Sequence, residues 1–267
     1  MYTTDVLKKR MIDGAYDAEL TRLYPAGTID AQRKRYCRVI GEFEEFYGEG
    51  REAGLFSAPG RTEIGGNHTD HNHGRVLAAS VNLDAIAVAA KSEGTVVNVK
   101  SEGYAMDTVD ISDLKPHEKE FGKSRALVRG VCSEFKRRGY NVGAFDATTA
   151  SDVLSGSGLS SSAAFEVLLG TIVNHLFNDG KVSDVEIAQI AQAAENKFFG
   201  KPCGLMDQMA SSVGNIITID FADKANPDVE PVQVDFSKAG LALCILDSGA
   251  DHADLTDEYA AIPNECR

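Results

Sequence analysis

The sequence is short of positive charge, of paired cysteines and of long apolar runs. Its 267 residues include 27 Lys and Arg against 40 Asp and Glu, which gives a formal net charge of −13. An excess of negative charge is repelled by phosphate backbones and anionic lipid surfaces, so we expect neither nucleic acid nor a membrane as a partner. No apolar run approaches the length that crosses a bilayer, and the first residues are mixed and charged, so no signal peptide is predicted.

The five cysteines stand singly along the chain and form no CxxC pair. An odd number of scattered cysteines makes no disulfide framework and is typical of a reducing compartment. The hydrophobic content of 43% and the charged content of 25% are ordinary for a globular protein. We therefore predict a cytoplasmic protein with one large domain or two smaller ones.

Helical and strand-like patterns follow one another irregularly. Helical patterns cover most of 7–47, 123–138 and 183–199, and strand-like runs cover 76–90, 95–99, 145–150, 216–221 and 241–247. Because this order lacks the strict βαβ alternation of a doubly wound sheet, we predict the α+β class. The polar segment 223–231, which contains two prolines, is the predicted domain boundary.

A glycine–serine loop at residues 156–162 runs directly into an apolar helix. Glycines allow a tight turn, and a helix start offers unpaired N–H groups and the positive end of the helix dipole, which attract phosphate. Three consecutive serines exceed what one helix cap requires, so phosphate binding is favoured over simple capping. Leu159 stands where the Walker motif has its lysine. The missing positive charge must therefore come from a metal ion and from elsewhere in the chain.

A second polar cluster lies at residues 58–74, between a helical segment and a strand. Asp70 with His68, His71 and His73 has the residue types of a zinc site. Their spacing is not diagnostic, because such clusters also form hydrogen-bonding loops around polar ligands or plain surface loops. These three interpretations stay open at this point.

A third cluster, at residues 195–214, places Asp207 after a Pro–Gly turn and at the start of an apolar stretch. A carboxylate among methionines is costly to bury alone, so Asp207 should have a cationic partner or bind a ligand hydroxyl. Capping a helix start is the alternative role.

Together, the three clusters resemble motifs of the galactokinases in the GHMP small-molecule kinase family. SGSGLSSSAA is similar to the family's ATP-binding loop, PGRTEIGGNHTDHNHGRVL to its GRxNxIGEHxDYxxGxVLP segment, and ENKFFGKPCGLMDQ to the segment with the catalytic Asp. LTDEY at 255–259 resembles a downstream sugar-contacting segment. The resemblance implies an ATP-dependent kinase that phosphorylates the anomeric hydroxyl of galactose. It also implies a ribosomal-protein-S5-like N-terminal domain at 1–222 and the beginning of a ferredoxin-like C-terminal domain at 223–267.

The resemblance further implies roles for individual residues. Asp207 would meet the anomeric hydroxyl, as a general base or as an electrostatic partner, with Arg61 beside it. Ser162 and Glu195 would hold Mg²⁺ against the phosphates of ATP. The cradle for these phosphates would consist of Gly156, Ser157, Gly158, Leu159, Ser160, Ser161 and Ser162. The residues implied for the sugar are Asn67, His68, Asp70, Gly204 and Tyr259.

The sequence departs from the family pattern in its second cluster. The family's Asn, Ile, Glu, Tyr and Pro are replaced by Glu63, Gly65, Asn67, His71 and Ala78. An amide at position 67 both donates and accepts, which leaves the sugar open and keeps an amino sugar or a uronic acid as alternatives. A sugar- and ATP-binding sensor without turnover and a zinc enzyme also remain alternatives.

The family's third, glycine-rich motif near its C-terminus is not reached within these residues. We therefore expect the 267 residues to be a fragment, with weak or no catalysis on their own.

Overall fold

The computed structural model describes residues 1–154, 156–234, 236 and 238–246 of the chain. Within these ranges the elements follow one another irregularly, which confirms the predicted α+β class. The helices are α1 (Thr4–Ile12), α2 (Asp17–Leu23), α3 (Ile29–Tyr47), α4 (Ser124–Arg137), α5 (Ser161–Phe177), α6 (Asp184–Ala194) and α7 (Met206–Val213). The strands are β1 (Tyr2–Thr3), β2 (Glu52–Gly65), β3 (Arg75–Lys91), β4 (Val96–Ser101), β5 (Asp107–Asp110), β6 (Phe145–Ser151), β7 (Ile216–Asp220) and β8 (Asp228–Pro231).

The strands of the described residues form one sheet around the long strand β3. The hydrogen-bonded order is β1-β2-β3-β6-β4-β5, and β7 and β8 extend the sheet from β3. The first part of β3 pairs with β7 and its last part with β6, whereas β2 lies along its other edge. All neighbours are antiparallel except β4 and β6.

Strand β3 is apolar on both faces because helices cover both sides of the sheet. In the run 85–90, the odd-numbered residues pack with α4, α5 and α6, whereas the even-numbered residues pack with α1, α2 and α3. Successive residues of a strand point to opposite faces, so one continuous apolar run serves two cores. The sheet is therefore the central layer of the fold.

Helix α5 is buried, as its apolar sequence predicted. It packs against β2, β3 and the helices α4, α6 and α7. Its first turn follows the glycine–serine loop, so this packing fixes the position of the loop. Among the described residues, no helix is both long and apolar enough to cross a bilayer.

Helix α6 begins as its sequence predicted, because the Ser183 hydroxyl accepts a bond from the Glu186 N–H at 3.3 Å. The helical pattern that was predicted to reach Phe199 ends in a single turn of π-helix, Glu195–Phe199.

One predicted strand is wrong over its described part. Residues 241–246 form no strand, and Leu241, Leu243 and Ile245 are exposed. A strand requires a neighbour for its backbone groups, and apolar residues alone do not supply one.

The predicted boundary segment 223–231 contains β8, which pairs with β7. The division into domains at 222 stays a prediction, and the LTDEY segment lies outside the described residues.

A buried ion pair connects α3 to the sheet. The two terminal nitrogens of Arg35 donate to the Asp84 carboxylate at 2.6 Å and to the Asp84 carbonyl at 2.8 Å. The other carboxylate oxygen of Asp84 accepts from the hydroxyls of Tyr24 and Ser57, each at 2.5 Å. Both charged residues are buried, and Asp152, a more exposed carboxylate 3.2 Å from the same Arg35 nitrogen, is the second partner of the guanidinium. Asp84 is therefore the main compensation for the buried Arg35 charge.

We expect Asp84→Ala to lower the free energy of unfolding by about 3–5 kcal/mol, because it leaves the Arg35 charge buried without its main partner. Asp30→Ala is the matched control: Asp30 also pairs with an arginine, but its side chain is 87% exposed. Its loss should cost at most about 1 kcal/mol. Urea unfolding measures both variants, and equal losses would contradict the prediction.

Candidate active site

Strand β2 and helix α7 bring Arg61 and Asp207 together. The Arg61 Nε and Nη2 atoms donate to the two carboxylate oxygens of Asp207, each at 2.7 Å. Arg61 is buried, whereas 27% of the Asp207 side chain remains exposed. Asp207 thus has a cationic partner in a two-fold, well-oriented pair, and one side of its carboxylate stays open to a ligand.

Local backbone features direct Arg61 toward this pair. The pairing of β2 with β3 is irregular between Pro59 and Arg61, and such bulges re-aim a side chain. At Gly60, between them, an added Cβ would lie 2.9 Å from the Leu159 carbonyl oxygen. This close approach lets the Arg61 N–H donate to the same carbonyl at 3.0 Å. Strand β2 and the glycine–serine loop are therefore joined directly at the site.

The Asp207 carboxylate is ionised at neutral pH. Burial alone would raise its pKa, but the Arg61 guanidinium and the Ser160 hydroxyl outweigh burial and hold the pKa of Asp207 below its usual value. The Ser160 hydroxyl donates to Asp207 at 2.6 Å. A carboxylate stabilised in this way is a weak base, and its charge is a fixed feature of the site.

The glycine–serine loop has the tight backbone that its sequence predicted. Gly156 and Gly158 both have φ of +74°, where residues with a side chain are strained. The carbonyl of Gly158 accepts a bond from Arg61. The Ser157 hydroxyl donates to the Leu154 carbonyl at 2.6 Å, which closes the turn before the glycines.

The start of α5 is arranged for an anion rather than for a serine cap. Ser160 precedes the helix in a left-handed conformation, and its hydroxyl donates to Asp207 instead of capping the helix. The first N–H groups of α5 therefore gain no bond from the cap side chain. A partly exposed helix start whose N–H groups lack a side-chain cap favours a negatively charged ligand.

Asp70 and Gly204 meet in a second part of the site. One carboxylate oxygen of Asp70 accepts from the Met206 N–H at 3.2 Å. The other oxygen is buried and has no hydrogen bond from the described residues. Burial raises the pKa of Asp70, Asp207 adds to the rise, and His68 opposes it, so these side chains share one region. A buried oxygen without a donor is a position for a ligand hydroxyl.

Two further residues that the resemblance implies for sugar binding, Asn67 and His68, lie in the turn after β2. Asn67 and His68 are left-handed, with φ of +52° and +54°. Asn67 is exposed, whereas His68 is half-buried and lies beside Glu63. Tyr259 lies outside the described residues.

The histidines of this segment do not converge on a metal site. His73 lies 3.2 Å from the Ala222 carbonyl, and the His71 carbonyl accepts from Lys224. No group of three or more His, Cys, Asp or Glu that could hold a metal is found within 1–154, 156–234, 236 and 238–246. The zinc alternative therefore finds no support in this part of the chain.

A buried polar cluster lies next to Asp207 in the sequence and was not predicted. The Gln208 amide nitrogen donates to Glu166 at 3.1 Å and to Glu195 at 2.9 Å, and all three residues are buried. Each also has one side-chain oxygen without a hydrogen bond from the described residues. Burial and the nearby Glu195 raise the pKa of Glu166 well above its usual value. The sequence signal that could have pointed to this cluster was Glu166, a single carboxylate within the apolar sequence of α5.

Two family models match the chain. The GHMP kinases N terminal domain matches residues 126–215, and the galactokinase galactose-binding signature matches residues 41–91. The galactokinase of Clostridium tetani is 38% identical over 174 residues, which are 65% of this chain and 44% of that protein. The galactokinase of Actinobacillus pleuropneumoniae is 37% identical over 235 residues, which are 84% of this chain and 57% of that protein.

Solved structures agree with these matches. The crystal structure of Lactococcus lactis galactokinase complexed with galactose aligns with a TM-score of 0.66 at 28% identity, over 73% of this chain and 51% of its own. The chain thus spans about half the length of the curated relatives it matches. The fold, the two family models and the relatives agree on the GHMP kinases, and the chain belongs to this family. Within the family, the similarity of the sequence and of the fold is to the galactokinases.

We expect Gly204→Ala to disturb the sugar end of the site, because an added Cβ would lie 1.7 Å from a carboxylate oxygen of Asp70. Overpacking of this kind costs about 1–3 kcal/mol of unfolding free energy. At Gly27 a Cβ meets nothing within 4 Å, so Gly27→Ala is the control. Thermal unfolding compares the two variants, and a Gly204→Ala protein as stable as the control would refute the close contact.

Glu166→Gln should become more stabilising as the pH rises. Above about pH 4.3 the unfolded chain releases the Glu166 proton while the folded protein retains it, so this group lowers the unfolding free energy with rising pH. Glutamine has nearly the same size and no proton to lose. Relative to the parent, the variant should gain up to about 1.4 kcal/mol per pH unit within the window between the two pKa values.

Urea unfolding between about pH 5 and pH 8 measures this difference. Glu118→Gln, at an exposed position, is the control for the loss of a surface carboxylate. A difference between the Glu166 variant and the parent that does not change with pH would show that Glu166 is ionised in the folded protein.

Proposed function

We propose that this chain contributes the sugar- and phosphate-binding machinery of an ATP-dependent kinase that converts galactose to galactose 1-phosphate and releases ADP. The observation that carries the proposal is the Arg61–Asp207 pair, which joins the segment that matches the galactose-binding signature, where Arg61 lies, to α7 and to the loop before α5. A phosphate site and a sugar site on either side of one carboxylate are what transfer between ATP and a sugar hydroxyl requires.

The start of α5 is the proposed cradle for the ATP phosphates. Its N–H groups, the two left-handed glycines and the buried helix dipole support this role. Arg61 lies between the loop and Asp207 and supplies positive charge at the point where the two sites meet. Arg61 thus supplies part of the positive charge that the lysine of a Walker loop would provide.

The residues proposed for Mg²⁺ fit that ion in their chemistry. One carboxylate oxygen of Glu195 is buried without a hydrogen bond from the described residues, 3.6 Å from the Lys201 ammonium. Ser162 offers a hydroxyl in the first turn of α5. Carboxylate and hydroxyl oxygens suit a hard cation, and bound Mg²⁺ would neutralise charge on the phosphates.

Asp207 is proposed to orient the anomeric hydroxyl and to stabilise its developing positive character. Its lowered pKa makes it a weak proton acceptor, which favours an electrostatic role over strong general-base catalysis. Phosphoryl transfer depends mainly on positioning and on charge stabilisation, so a fixed carboxylate is sufficient.

The charge of the site supports a neutral sugar. Asp70 has a buried oxygen that a hydroxyl can satisfy, and Glu63 and Asp207 add further negative charge nearby. A uronic acid would bring its own carboxylate toward this group, and the repulsion would oppose binding. The galactose-binding signature at 41–91 and the galactokinase relatives therefore favour galactose among the sugars left open by the sequence.

The test is ADP release by the full gene product with Mg-ATP and a panel of sugars. Release that depends on galactose, with phosphate recovered on the anomeric oxygen, would support the proposal. Binding of galactose and ATP without any release would instead identify a sensor, and release only with another sugar would overturn the choice of galactose.

Asp207→Asn should reduce kcat by about 10²–10⁴-fold while the protein stays folded, because the amide keeps the size of the carboxylate but loses its charge. Arg61→Ala should reduce kcat at least as strongly, since it removes the positive charge that holds Asp207 ionised. Asp179→Asn is the control, because that carboxylate is exposed and pairs with Lys181 on the surface. Turnover and thermal unfolding are measured together, and normal turnover by either site variant would remove the role given to that residue.

A further inference from the structure

Glu63 contacts His68 at two points. One carboxylate oxygen accepts the His68 N–H at 3.0 Å, and the other lies 3.4 Å from the imidazole Nε2. Only 15% of the Glu63 side chain is exposed. A carboxylate that is largely removed from water requires donors close by, and His68 supplies them from both its backbone and its ring.

These contacts hold a strained turn. The pairing of β2 with β3 is irregular directly after Glu63, and Gly66, Asn67 and His68 then have φ of +123°, +52° and +54°. Left-handed residues other than glycine cost about 1–3 kcal/mol each and persist where the surroundings stabilise them. The bond from His68 back to Glu63 closes this turn and fixes the histidine two residues before Asp70.

The sequence shows an exchange at the same two positions. The pattern GRxNxIGEH has an amide four residues before a carboxylate, and this chain has the carboxylate Glu63 four residues before the amide Asn67. The two side-chain types are therefore both present, in the reverse order. Because Glu63 contacts His68, the Glu63 carboxylate lies beside the histidine that follows position 67, although it stands four residues earlier in the sequence.

We propose that Glu63 is a positioning and specificity-determining residue for the sugar: it holds His68 in place and supplies the negative charge that Asn67 lacks. This inference rests on the proposed function and names the residue on which recognition of the sugar depends. It favours neutral sugars whose hydroxyls donate to a carboxylate.

The first test is steady-state kinetics of Glu63→Gln in the full gene product. The amide oxygen can accept from His68, but the charge and the second acceptor are lost. We expect the KM for galactose to rise by about 10-fold or more, with kcat and the KM for ATP within about 3-fold of the parent. Glu93→Gln, at an exposed turn, is the control and should change none of these values.

The second test restores the family's order of side chains. Glu63→Asn should raise the KM for galactose, and the double variant Glu63→Asn with Asn67→Glu should recover part of that loss, because it returns the negative charge but not the bond to His68. A purely structural role for Glu63 would not respond in this way, because the second substitution does not rebuild the bond across the turn. Thermal midpoints of all variants show whether each protein is folded, and the double variant keeps the test valid if Glu63→Asn is less stable.

The possible failures are distinguishable. If the parent phosphorylates galactose and Glu63→Gln has the parent's KM for galactose, the role of Glu63 is overturned while the proposed function stands. A double variant that folds and remains as impaired as Glu63→Asn would also overturn it. If the parent neither binds galactose nor releases ADP with it, the proposed function fails and this inference fails with it.

Discussion

The rest of the site depends on the ion pair between Arg61 and Asp207. Its members are 146 positions apart in the sequence, and their two parallel bonds join β2 to α7. The same guanidinium bonds the Gly158 carbonyl, and the same carboxylate accepts the Ser160 hydroxyl, so the loop before α5 is held by both partners. Because a charge that is largely buried is tolerated only when it is paired, the pair fixes the position of the loop before α5 relative to β2 and α7, the two sides of the proposed site.

The sheet makes this arrangement rigid. Strand β3 is covered on both faces, and α5 is packed between β2 and three other helices, so neither the strand nor the helix start is free to shift. Within this frame, Asp70, Glu166 and Glu195 each have a buried oxygen without a hydrogen bond from the described residues. Each such oxygen costs about 1–3 kcal/mol. Costs of this kind concentrate where a ligand is to be bound, and all three lie near Asp207 or beside its neighbour Gln208.

The local parts of the fold were largely predictable. The apolar periodicity of α4 and α6, the Ser183 cap and the β-branched runs of β3 and β4 are signals that act within a few residues. The segment 241–246 has the composition of a strand, yet a strand also requires a neighbouring strand, which local composition does not specify. Glu166 was missed for a related reason. The role of a single carboxylate in an apolar helix depends on its hydrogen-bond partner, and that partner, Gln208, lies on another helix.

The sequence by itself determined the types of most elements, the tight glycine–serine turn before α5 and the residue types available for chemistry. These properties follow from backbone preferences and side-chain chemistry that act locally. Only the tertiary structure decided the two-fold geometry of the Arg61–Asp207 pair, the close approach of Asp70 to Gly204, and the contact of Glu63 with His68. Those contacts are set by the packing of β2, α5 and α7 and by the backbone turn after β2, and hydrogen bonds depend on separations of a few tenths of an ångström that no local pattern specifies.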